Sequence, residues 1–142
     1  MRAVAPDRRP PVAAWGFAAL ALAPLGLSWA GGRFGWPGPF HAAGVLWAMI
    51  LLGLSAGMVA GPLALRGRWG GALAALVVLM MTMAVLWSAP AQLDQAVLLG
   101  LALVYLIDLW AARIGLMPEW WPRLKLGFTV VAGALLLSPG IG

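Results

Sequence analysis

No charged side chain stands between Arg9 and Arg33, between Arg33 and Arg66, or between Arg68 and Asp94. Such stretches decide the solvent of a chain before they decide its fold. A helix rises about 1.5 Å per residue, so about 20 apolar residues cross the roughly 30 Å of a bilayer's hydrocarbon. The whole chain is 63% hydrophobic and 9% charged, where a soluble domain carries about a quarter charged residues. The same figures exclude disorder, which requires low hydrophobicity and many charges. The net charge is +5, but the basic residues punctuate the apolar runs and form no exposed basic face, so no nucleic-acid partner is expected. With no cysteine, disulfides, thiolate chemistry, iron–sulfur clusters and Cys-type zinc sites are excluded.

The expected fold is all-α, a single polytopic membrane helix bundle with five transmembrane helices over about 11–30, 41–61, 69–89, 95–112 and 124–139. Arg8-Arg9, the apolar run and Ser28-Trp29-Ala30 look like a secretory signal, yet the segment reads as a retained first helix. Lys and Arg collect in cytoplasmic loops. With the N-terminus inside, the inner segments hold Arg2, Arg8, Arg9, Arg66, Arg68, Arg113, Arg123 and Lys125, against Arg33 outside. The expected orientation is therefore N-inside, C-outside, and the Gly-, Ala-, Leu- and Arg-heavy composition suits a bacterial inner membrane (cytoplasmic or intracytoplasmic). Tryptophan favours the headgroup level, which makes Trp29, Trp36, Trp69, Trp87, Trp120 and Trp121 interfacial anchors. Trp110 belongs to the same inner cluster, and Trp15 and Trp47 read as deeper packing residues.

Gly53, Gly57 and Gly61 recur at four-residue spacing with Ala56 and Ala60 beside them. Small residues in register let two helix backbones approach closely where lipid offers no hydrophobic gradient. The partner is another helix of this chain or another subunit, and Ser55 falls on the opposite side. Thr129 and Gly133 offer a weaker version. Pro62, Pro90, Pro118 and Pro122 read as marking helix ends, and Pro24 as a kink within the first helix.

Chemistry-bearing residues are few. No nucleophile motif, phosphate loop or pair of catalytic carboxylates is present, so no enzyme activity is expected. His41 is the only histidine, which excludes a multi-histidine metal site within the chain. It is a candidate axial ligand for a haem or pigment macrocycle, beside the reading of an ordinary interfacial histidine. Asp108 lies inside an apolar run, where an ionisable group carries a functional or packing hypothesis. Tyr105 shares its face. Asp108 reads as a polar tether to a neighbouring helix, to Arg113 or to Lys125, or else as a proton-carrying group.

The stretch from Asp108 to Thr129 contains Gly115-Leu116, Pro118, Trp120-Trp121 and Leu124-Lys125, and Ile50 to Gly57 forms a glycine-rich block. In these blocks the chain resembles a small multi-pass membrane protein family of unknown function, with bacterial members and mitochondrial inner-membrane relatives. The family's second-helix motif often continues with a His-Trp pair, where Val59 and Ala60 stand here. The resemblance implies five helices and an energy-transducing membrane, and no established activity. The expected function is a non-catalytic accessory subunit or assembly factor of a larger respiratory or photosynthetic complex. Its partners would be lipids and other integral membrane subunits. The alternatives are a small proton-linked transporter working through Asp108, or a pigment-, haem- or quinone-binding protein using His41 or the inner tryptophans. No cofactor is otherwise expected.

Overall fold

The computed structural model describes residues 11–137, so Arg2, Arg8, Arg9 and the Ser138-Pro139-Gly140 end lie outside the described residues. Five α-helices follow one another: α1 (Val12–Arg33), α2 (Phe40–Leu65), α3 (Trp69–Ser88), α4 (Leu93–Arg113) and α5 (Trp121–Leu137), with a 3-10 turn at Pro90–Gln92 leading into α4. The first four are long and apolar enough to cross a membrane. Within the described residues α5 has 17 residues, about 25 Å at helical rise.

Pro62 does not end α2, which runs on to Leu65. Its ring removes one ladder bond, but its own carbonyl still accepts from Arg66 N–H at 3.2 Å. The stop comes from Gly67 at φ 74°, a left-handed conformation that costs glycine little. There Gly67 N–H donates to Ala64 O and Arg68 N–H to Leu63 O, the paired bonds of a Schellman cap. Gly115, at φ 81°, closes α4 in the same way through Ala112 and Ala111 carbonyls. Pro24 lies inside α1, which continues through it as one helix. Pro122 sits in the first turn of α5, where a missing N–H costs nothing.

Each helix packs against its neighbours in sequence, α5 returns to α1, and α2 also crosses to α4. The result is a five-membered ring braced by an α2–α4 diagonal. Leu52, Val59 and Leu63 of α2 and Val97, Leu101 and Val104 of α4 fill its centre. Large apolar side chains such as Leu20, Leu65, Met81 and Trp87 stay exposed on the outside. Helices apolar on both faces mark a lipid surround. Packing is then set by shape. A Cβ on Gly100 would lie 2.9 Å from Leu52 and 3.1 Å from Thr82 Oγ1, and one on Gly133 would lie 2.8 Å from Leu98.

The contacts also fix the helix directions. Gly71, early in α3, approaches Leu63 late in α2 and Trp110 late in α4. Gly44, early in α2, approaches Ser28 late in α1. The helices therefore alternate up and down. Arg66, Arg68, Arg113, Arg123 and Lys125 stand toward one end and Arg33 at the other.

Candidate functional site: a buried polar cluster in the α4–α5 hairpin

Between Asp108 and Lys125 the chain makes a complete hairpin. The Gly115 cap turns it out of α4, Trp121 N–H donates to Pro118 O at 3.0 Å, and α5 starts antiparallel to α4. Lys125 follows Trp121 by one helical turn, so the two share a face of α5. That face meets Asp108. Trp121 Nε1 donates to Asp108 Oδ1 at 2.9 Å, and Lys125 Nζ stands 3.6 Å from Asp108 Oδ2.

All three side chains are withdrawn from the surface: Asp108 is 0% and Lys125 6% exposed, and Trp121 is half-buried. Lys125 Nζ also lies 5.6 Å from the centre of the Phe128 ring, within the range of a cation–π contact. The cluster is incompletely bonded, because Asp108 Oδ2 accepts no hydrogen bond among the described residues. A carboxylate in apolar surroundings needs an opposite charge and donors, and α5 supplies both. Chemically the cluster is a tether that fastens α4 to α5, with hydrogen-bonding capacity left over on both charged groups.

Trp121, read as an interfacial anchor, also takes part in the buried cluster. The hairpin turns it inward, and its N–H is spent on Asp108. A signal was available in the sequence: Trp121 and Lys125 at i and i+4 place two donors on one helix face. Tyr105, expected beside Asp108, is half-buried and lines an open cleft with Arg113, Glu119 and Arg123.

The other sequence candidates lie apart from this cluster. Gly57 and Gly61 are exposed, Gly53 is half-buried, and no atom lies within 4 Å of an added Cβ at any of them. Ser55, expected to be the indifferent side of α2, is 5% exposed and faces the bundle. His41 is exposed in the first turn of α2 and lines a shallow cleft with Pro90 and Asp94. Among the described residues no group of three His, Cys, Asp or Glu could hold a metal ion. Trp69 and Trp87 project outward from opposite ends of α3. Trp36 packs edge-on against Phe40, Trp120 packs on Trp121, and Trp29 Nε1 is buried with no hydrogen bond among the described residues. Trp47 packs as expected, donating to Ala21 O at 2.8 Å across α1 and α2. Trp15, read as a packing residue, is about half exposed at 49%.

Comparison with protein-family models, curated proteins and solved structures finds no match.

Proposed function

We propose that the chain is a non-catalytic accessory subunit or assembly factor of a larger energy-transducing complex, respiratory or photosynthetic, in a bacterial inner membrane. It crosses the membrane five times, with its N-terminus inside and its C-terminus outside. The carrying observation is the outer face of α2. Gly53, Gly57 and Gly61 present open backbone there, while close helix contacts inside the bundle are made at Gly44, Gly71, Gly100 and Gly133. A registered glycine face suits the close approach of a second helix, and no helix among the described residues takes it. The orientation is supported by Arg66, Arg68, Arg113, Arg123 and Lys125 standing at one end against Arg33 at the other. The choice of an energy-transducing membrane comes from the family resemblance.

Affinity purification of the tagged chain in mild detergent tests the proposal, with mass spectrometry of its companions. Other integral membrane subunits are expected in stoichiometric amount, and Gly57→Leu is expected to lose them while the chain itself stays folded. A monodisperse monomer without companions overturns the reading. The transporter alternative needs Asp108 to gain and lose protons, whereas its engagement by Lys125 and Trp121 suits a fixed tether.

A further inference from the structure

Near the arginine-bearing end, a groove of about 270 Å³ runs between α1, α2 and α5. That is close to the smallest small-molecule pockets, at about 300 Å³. Phe17 and Ala21 of α1, Ser55 of α2 and Trp121, Lys125 and Phe128 of α5 line it, and the rest of its wall is alanine, leucine and methionine. It is thus an apolar channel with two buried polar residues on its wall, one of them charged.

Lys125 selects the head of an occupant. An amine of this kind carries three N–H donors when protonated. Its ion-pair partner, Asp108 Oδ2, stands at 3.6 Å, beyond the range of a good N–H···O bond. Unused donors in apolar surroundings are costly, and an acceptor from a ligand would relieve that cost. A ligand carboxylate would compete with Asp108 for Lys125, whereas a neutral acceptor leaves that pair in place. Phe17, Trp121 and Phe128 offer aromatic faces to a planar ring, which prefers stacked or edge-on packing against them.

We propose that this groove is a binding site for a lipid-soluble quinone. The ring lies among Phe17, Trp121 and Phe128, one carbonyl oxygen accepts a hydrogen bond from Lys125, and the tail follows the aliphatic α1–α2 wall into the lipid.

The test titrates the whole chain, in nanodiscs of synthetic phospholipid, with decylubiquinone and in parallel with decylbenzene, which keeps a ring and a tail but has no carbonyl. Bound ligand is counted by native mass spectrometry. Saturation at one quinone per chain is expected, at least about tenfold tighter than decylbenzene. Ala21→Phe adds a ring to the groove wall while leaving Asp108, Trp121 and Lys125 unaltered, and should weaken quinone binding by at least about tenfold. The double variant Lys125→Met with Asp108→Asn removes the donor without leaving a lone carboxylate, and the same loss is expected. Equal binding of the two ligands overturns the proposal. So does uptake that does not saturate and matches empty nanodiscs, or Ala21→Phe binding as the wild type does. The ligand comparison uses the unaltered chain, so a variant that fails to fold does not shield the proposal.

Discussion

Asp108 and Lys125 each make the other tolerable inside the bundle, so the effect of replacing either depends on its partner. Removing one member of a buried ion pair leaves an uncompensated charge and costs about 3–5 kcal/mol, whereas replacing both with apolar groups is often close to neutral. Asp108→Leu and Lys125→Met are each expected to lower the denaturation midpoint in mixed micelles strongly. The double variant should lie well above the sum of the two. Strict additivity would mean that the 3.6 Å pair carries no coupling. Trp121→Phe keeps the ring and removes one donor, for an expected loss of about 1.5–3 kcal/mol, the range for a hydrogen bond to a charged group. Asp108 was legible because a carboxylate in an apolar run has few explanations. The direction of Trp121 was not, because a tryptophan at a helix end ordinarily reads as a headgroup anchor. What separates the two cases is the turn at Gly115 and Pro118, which points the ring inward.

The lengths of the apolar runs located the five helices to within a few residues, the expected end of the fifth lying outside the described residues, because each run is bounded by charges, glycines or prolines that lipid or the helix will not accept. Which face of each helix points inward was harder to read. In a soluble helix the polar side identifies the outside, but here both sides of α2 and α3 are apolar, so that cue is missing. The glycine stripe at Gly53, Gly57 and Gly61 was visible, yet the tight contacts fall at glycines without any register between them. Leucine at Gly100 or Gly133 would collide with Leu52 and Thr82, or with Leu98, and overpacking of this kind costs about 1–3 kcal/mol. Both variants should melt earlier in detergent than the wild type, while Gly57→Leu should melt normally. A Gly57→Leu protein that unfolds by itself would show that the α2 face is needed within the chain.

Across the whole molecule, the alternation of helix directions gathers the basic residues toward one end. Reporters inserted at Gly38 and Ala91 should report the outer side, and one at Gly67 the inner side; activity confined to Gly67 would reverse the topology. The hairpin that carries the buried cluster also bears on how the chain is made. Helices leave the ribosome in order, and α4 emerges with Asp108 while its partners on α5 are still inside the exit tunnel. A lone carboxylate at a helix centre costs roughly 2.5–3.5 kcal/mol during insertion, less toward the interface. The translocon therefore has reason to hold α4 until Trp121 and Lys125 arrive, and to release the two segments as a pair. A nascent chain stalled with α4 outside the ribosome and α5 still in the exit tunnel should stay crosslinked to the insertion machinery, and one stalled with α5 also outside should pass into lipid.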